Sequence, residues 1–195
     1  LDRSVALGCT FFDTAFAYGD GHSERLLAET LTRRPGTRLY VATKVSPKNR
    51  VWPGRAETPI RNVFPYDCIV EMTEKSLANL GTSTVDLQQL HVWSDAWADD
   101  GGWQRAAEEL KRRKLINAFG ISVNRWEPSN VIKALRTGLV DAVQVVYNVF
   151  DQNPEDELFP VCRELDIGVI ARVPFDEGSL TGTLSKDSRW PDGDF

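Results

Sequence analysis

Four side chains of the sequence lie where they could move a proton together. Asp13, Tyr18, Lys44 and His91 each sit at or just past the end of a short apolar run. The runs close as Asp13-Thr14-Ala15-Phe16-Ala17-Tyr18-Gly19, Val41-Ala42-Thr43-Lys44-Val45 and Asp86-Leu87-Gln88-Gln89-Leu90-His91. A phenol is a poor acid at neutral pH, its reference pKa being about 10. A nearby ammonium stabilises the phenolate and lowers that value. Lys44 can supply the ammonium, and Asp13 can hold it charged and oriented. His91 can donate a hydrogen bond that polarises a carbonyl oxygen. Taken singly, each has a plainer reading: an ion pair that only holds structure, a histidine satisfied in the core, a tyrosine that happens to follow a strand. Their joint placement favours chemistry. His22 has no such support and reads as loop ahead of Ser23.

Parallel strands would bring these ends together. Thr10 to Asp13, which reads as buried, Leu39 to Val45, Val85 to His91, Ile116 to Ser122, Ala142 to Val146 and Ile167 to Ala171 read as six strands. Helical patterns separate them: one capped by Ser23 and stopped at Pro35-Gly36, then Cys68 to Leu80, Trp103 to Lys114, Pro128 to Arg136, and one from Pro154 to Leu165. Ser favours the N-cap, and Pro is tolerated in a first turn. Strands spaced by helices make βαβ units and a parallel sheet. Polar residues at the strand ends, Asp13, Lys44, His91, Ser122 and Asn124, suit a barrel whose chemistry sits at that face. The stretch from Lys48 to Tyr66 is long, aperiodic and rich in Pro, Arg and Trp. A loop of that length inside a compact domain is often functional. The segment from Gly178 onward reads as loop.

The fold class expected is α/β, a parallel (β/α)8 barrel of the TIM type that is incomplete. A closed eightfold barrel typically takes about 250 residues. Six βα units in 195 residues fall short of that, so residues 1–195 are expected to form a single barrel domain truncated at both ends. An open doubly wound sheet is the alternative, but no strand runs into the Gly-x-Gly-x-x-Gly turn of its dinucleotide-binding version.

Bulk composition narrows the function classes. With 42% hydrophobic and 26% charged residues the chain can bury a core. A net charge of −5 offers no basic face for nucleic acid. No run approaches the roughly 20 apolar residues of a membrane helix. Cys9, Cys68 and Cys162 are odd in number and widely spaced, which is neither a disulfide framework nor a zinc pattern. The cytoplasm is the expected compartment.

The motifs together resemble the aldo/keto reductases. Asp-x-Ala-x-x-Tyr-Gly, Thr-Lys-Val and Leu-His-Val match in order, and Gly120-Ile121-Ser122-Val123-Asn124, Gln144-Val145-Val146-Tyr147-Asn148 and Pro174 to Gly182 add to the match over almost the whole chain. The resemblance implies reversible hydride transfer between a nicotinamide cofactor and an aldehyde or ketone. It gives Tyr18 the general acid/base role, Lys44 and Asp13 its tuning, and His91 the orienting of substrate. It implies that Ser122 and Gln144 bind the nicotinamide amide, with Asn124 one place later than the family's usual asparagine, which is Val123 here. Where the family often stacks an aromatic ring on the nicotinamide, this chain has Arg172, whose guanidinium plane can also stack. The loop holding Pro174, Phe175, Gly178 and Leu180 resembles the pyrophosphate clamp. NADP(H) is the cofactor the resemblance favours, with NAD(H) open. Trp52 and Trp93 suit the wall of a substrate pocket for a small carbonyl or alcohol, since such pockets are largely apolar and aromatic.

Rival readings are a metal-dependent barrel hydrolase, a reductase-like regulatory or binding subunit, and an inactive truncated barrel. Only His22 and His91 are present, which argues against the hydrolase. No metal is expected. The other two rivals keep the same residues, and turnover separates them from an enzyme. A homo-oligomer is compatible with every reading.

Overall fold

The computed structural model describes residues 1–191. Strands β1 (Phe11–Asp13), β2 (Tyr40–Val45), β3 (Val85–Leu90), β4 (Ile116–Ser122), β5 (Ala142–Val146) and β6 (Gly168–Arg172) form one sheet in chain order, every neighbour parallel. Helices α1 (Asp2–Ala6), α2 (His22–Thr32), α3 (Tyr66–Leu80), α4 (Gly101–Arg112), α5 (Ile132–Leu135) and α6 (Leu158–Glu164) alternate with them. This is an incomplete barrel, six strands of an eightfold plan, as the alternation of apolar runs implied.

The sheet owes its two faces to the period-two alternation of strand side chains. Phe12, Val41, Val45, Leu90, Phe119, Ile121, Val143 and Val145 belong to the large core between sheet and helices, with Leu27, Ile69, Leu77, Trp103 and Leu110 from the helical side. The other face carries a small second cluster, Ala42, Leu87 and Ala142 with Ala118 and Ile170 against it. Two residues further along β2 and β3, Lys44 pairs with Gln89, and Ser122 of β4 pairs with Gln144 of β5. The interior face therefore runs from apolar at the bottom to polar at the C-terminal strand ends.

Local chemistry moved several element boundaries away from the sequence reading. Helix α2 is capped by Gly21 at φ 83°, not by Ser23, whose Oγ instead accepts a hydrogen bond of 2.8 Å from Thr14 Oγ1. Helix α5 keeps only Ile132–Leu135 of the span expected from Pro128. Its first N–H groups, on Lys133 and Ala134, donate to the Asp95 carboxylate at 2.8 and 3.2 Å, which fixes its start from another loop. The helix expected from Pro154 breaks into a 3-10 turn at Asn153–Glu155 and α6, with Glu157 at φ −132° between them. Asp176–Thr181, expected as loop, forms a 3-10 turn interrupted by Glu177 at φ 53° and Gly178 at φ 106°. The aperiodic Lys48 to Tyr66 stretch is, up to the start of α3 at Tyr66, a loop with a short 3-10 turn, Ile60–Asn62, pinned by buried Ile60, Val63 and Phe64.

Among the described residues β1 and β6 are the two edges of the sheet and do not pair with each other. Phe11 of β1 is 42% exposed and Val169 of β6 is 40% exposed.

Candidate active site

At the C-terminal end of the sheet a cavity of about 460 Å³ is lined by Asp13, Tyr18, Lys44 and His91, together with Ser122, Gln144 and Arg172 from β4, β5 and β6 and Asn124 just past β4. The residues singled out for catalysis and those singled out for the nicotinamide thus face one space. Lys44 is buried, and its Nζ donates to both carboxylate oxygens of Asp13 at 2.7 Å and to the Thr14 carbonyl at 2.8 Å. Asp13 also accepts from Gln89 Nε2 at 3.3 Å and from Gln144 Nε2 at 2.9 Å. Two amides and an ammonium therefore aim at one carboxylate.

Electrostatics in this cavity are set mainly by burial. Burial pulls Lys44 below its usual value, opposed by Asp13 and assisted by the Arg172 charge. His91 is pushed down to about 4, by burial first and then by Lys44. Its imidazole is therefore neutral at neutral pH, a hydrogen-bonding group and not a charged acid. Its Nδ1 is buried with no partner. The ring lies edge-on to Tyr18, with centroids 5.7 Å apart, and edge-on to Trp52 at 5.9 Å.

Tyr18 departs from the sequence argument. Lys44 was expected to lower its pKa, yet burial raises it, the Asp13 carboxylate adds to the rise, and Arg172 is the cation that opposes it. Lys44 Nζ lies 5.6 Å from the centre of the Tyr18 ring and spends its hydrogen bonds on Asp13 and Thr14. Tyr18 leads into a tight turn in which Gly19 and Gly21 take φ of 69° and 83°, the left-handed region that glycine adopts at no steric cost.

The strands beyond β3 supply the second half of the cavity. Gln144 Oε1 and Arg172 Nε are buried without partners, while Arg172 Nη2 donates to the Val123 carbonyl at 3.2 Å. Asn124 lines the cavity, and its Oδ1 accepts from Trp126 N at 3.4 Å. Pro174, Phe175, Gly178 and Leu180 do not line the cavity. The N–H groups of Gly178 and Leu180 donate to the Phe175 carbonyl at 3.0 and 3.1 Å, so the turn consumes donors that a phosphate cradle would use. Trp52 is 45% exposed and lines the cavity. Trp93 lines it too but is only 1% exposed, packed edge-on to Trp97 and Trp103 with its indole N–H on Asp95. It is a support of the wall more than a surface. His22 is exposed and lies outside the cavity.

Three contributors were missed at the level of sequence. Gln89, adjacent to an equally buried Gln88, holds Asp13; two consecutive amides inside an apolar strand were the available signal. Glu24 is fully buried, accepting from Thr43 Oγ1 at 2.6 Å and Asn79 Nδ2 at 2.8 Å, and so ties α2 to the strand that carries Lys44. Arg125 lines the cavity and pairs with Asp151 at 2.7 Å and Asp176 at 3.6 Å. Gly120 leaves room for Gln89, since a Cβ there would meet the Gln89 side chain at 3.0 Å and the Ala142 carbonyl at 2.9 Å.

The family model described as "Aldo/keto reductase family" matches residues 1–194. The chain belongs to the aldo/keto reductase family. Among curated reductases it is similar to an NADH-specific methylglyoxal reductase of Escherichia coli, 28% identical over 96% of this chain and 61% of that protein. It is also similar to an aldo-keto reductase of Schizosaccharomyces pombe designated NADP(+), 28% identical over all of this chain and 56% of that protein. The holo form of an aldo-keto reductase from Bacillus halodurans superposes with a TM-score of 0.76 at 28% identity, covering 99% of this chain and 60% of that one. The chain thus spans 56–61% of the length of those curated relatives. Among its described residues no group of three or more His, Cys, Asp and Glu could hold a metal ion, and no helix is long and apolar enough to cross a membrane.

Proposed function

We propose that this chain carries the catalytic face of an NAD(P)H-dependent reductase that converts a small aldehyde or ketone to an alcohol, reversibly, within a single domain. The observation that carries the reading is the shared cavity, where the Lys44–Asp13 pair at 2.7 Å stands beside Tyr18 and His91 and is joined by Gln144. Reduction of a carbonyl needs a hydride on carbon and a proton on oxygen. The nicotinamide, when bound, supplies the hydride.

The residues present fit that group. Gln144 Oε1 is a buried acceptor with no partner, suited to a carboxamide N–H, and Ser122 and Asn124 line the same wall. Arg172 Nε is a buried donor without a partner, on a planar guanidinium that can lie against a ring. These residues would hold the cofactor's nicotinamide end. NADP(H) is the proposed cofactor, and NAD(H) stays open because the relatives' names carry both.

Tyr18 then holds the proton. Its raised pKa keeps the phenol protonated at neutral pH, ready to give its proton to the carbonyl oxygen. His91, neutral, hydrogen-bonds the same oxygen and fixes its position. Arg172 is the cation that favours the phenolate left behind, against burial and the Asp13 carboxylate, and a charge placed where charge develops is a recognised source of catalysis. A panel of small aldehydes assayed for NADPH and NADH consumption tests the proposal. Turnover that depends on Tyr18 supports it, and cofactor binding without turnover of any carbonyl would point to a reductase-like binding subunit instead.

A further inference from the structure

A second cavity, of about 540 Å³, opens on the other side of Trp52. It is built from the loops after β1 and β2 and from the first turns of α3, whereas the nicotinamide residues proposed above come from β4 to β6. We propose that this cavity binds the anionic far end of a substrate whose carbonyl lies between Tyr18 and His91. The inference rests on the reductase reading and adds the substrate class: a carbonyl compound carrying a carboxylate or phosphate away from its reacting carbon.

Position is the first argument. Trp52 lines both cavities, and its ring is edge-on to His91 at 5.9 Å. A molecule bound at His91 and extending across this indole enters the second cavity. It does so without approaching Ser122, Gln144 or Arg172, which do not line that cavity.

Charge is the second argument. Lys48, Arg50 and Lys75 line the cavity against Asp20 and Glu71, leaving a surplus of one positive charge. Arg50 reaches Asp20 only at 3.9 Å. Among the described residues neither Lys48 nor Lys75 has a carboxylate partner within 4.0 Å, so two ammoniums border the space without a direct counter-charge. Burial raises the pKa of the Cys68 thiol inside the cavity; Lys48 pulls it down, Glu71 pushes it up and Lys75 pulls it down, so both lysines act within this space. They are therefore close enough to act on a guest in the same space.

The remaining lining suits the body of such a molecule. Phe16, Pro47 and Met72 are apolar, and Ser46 Oγ is buried without a partner, a hydroxyl available to an oxygen-rich group. The Lys48 to Tyr66 loop, long and rich in Pro, Arg and Trp, thereby acquires a purpose that the catalytic residues alone do not give it.

The test compares 4-formylbenzoate with its neutral methyl ester and with 4-formylphenyl phosphate, in the parent chain and in the double variant Lys48→Ala/Lys75→Ala. The ratio of kcat/KM for acid over ester should fall roughly tenfold in the double variant, the effect of losing two solvent-facing charge contacts. Circular dichroism checks that the variant is folded, and Lys75→Glu gives a second reading, with a larger fall expected. A larger fall for the phosphate than for the carboxylate assigns the site to phosphate esters, a larger fall for the carboxylate assigns it to carboxylates, and an equal fall assigns it to anions of both kinds. An unchanged ratio in folded variants overturns the proposal. If no aldehyde is reduced at all, the reductase reading fails by itself. Calorimetric titration of 4-formylbenzoate then decides the subsite, with binding weakened in the double variant for it and equal binding against it.

Discussion

Gln144 Nε2 donates a hydrogen bond of 2.9 Å to Asp13 Oδ2, joining β5 to β1 across the concave face of the sheet. With Lys44 on both oxygens and Gln89 on Oδ1, the carboxylate is fixed from three strands. Asp13→Asn would remove the counter-charge of an ammonium that is almost completely buried. Leaving a buried charge without its partner is strongly destabilising. Asp13 keeps 30% of its side chain in contact with solvent, so the cost is set below that of a fully buried pair. The expected loss is about 2 kcal/mol, seen as a fall in Tm of roughly 4–8 °C. An unchanged Tm would mean that Lys44 finds other partners as good.

Tyr18→Phe keeps the ring that packs edge-on against His91 and deletes only the hydroxyl. Turnover should fall by roughly 10²–10⁴-fold, the usual scale for general acid catalysis, with cofactor affinity retained. The raised pKa of Tyr18 adds a second expectation, that the reduction rate shows no alkaline limb below its ordinary value of 10.0. Near-normal turnover in the variant would assign the proton to another group.

His91 should shape the acid side of stability. Its folded pKa, about 4, lies below the ordinary 6.5 because burial and Lys44 disfavour the imidazolium. The unfolded chain takes up this proton first as pH falls, so the stabilisation is complete above about pH 6.5 and is lost between 6.5 and about 4. The loss is on the order of 3 kcal/mol across that window. Urea midpoints measured at both ends of the window for the parent and for His91→Asn test this. The variant should lose less stability than the parent as the pH falls, and equal losses would place the titration elsewhere.

Much of this was legible in the residues, and the exceptions have physical causes. Strand identity came from short apolar runs, and Lys44 and His91 were placed because each lies at or just past the end of such a run. Contacts from outside the element were not legible. Helix α5 starts where Asp95 caps it, a partner on another loop that no local pattern announces. Ser23 looked like a helix cap, but the left-handed Gly21 took that position and freed the hydroxyl for Thr14. The direction of the Tyr18 shift depends on which charge faces the phenol and how deeply it is buried. Sequence supplied Lys44 for that role, and folding supplied Arg172.

The sheet's edges give the last prediction. β1 and β6 each have a neighbour on one side only among the described residues. Unpaired strand edges present backbone N–H and C=O groups to other chains, and exposed apolar surface beside them promotes association. Phe11 and Val169 stand exposed on these edges, and a cavity between β5, α6 and β6 lined by Tyr147, Phe159, Ile167 and Val169 lies open beside the second. Charged side chains that commonly guard an edge are scarce here, since β6 reads Gly-Val-Ile-Ala-Arg. Residues 1–195 expressed by themselves should therefore self-associate at micromolar concentration and turn over carbonyl substrates weakly. Sedimentation velocity over a concentration series measures the first and NADPH consumption the second. Substituting Val169 by Lys puts a charge on the exposed edge and should shift the population toward monomer. A monodisperse, fully active parent chain would show that the two edges are already protected in solution.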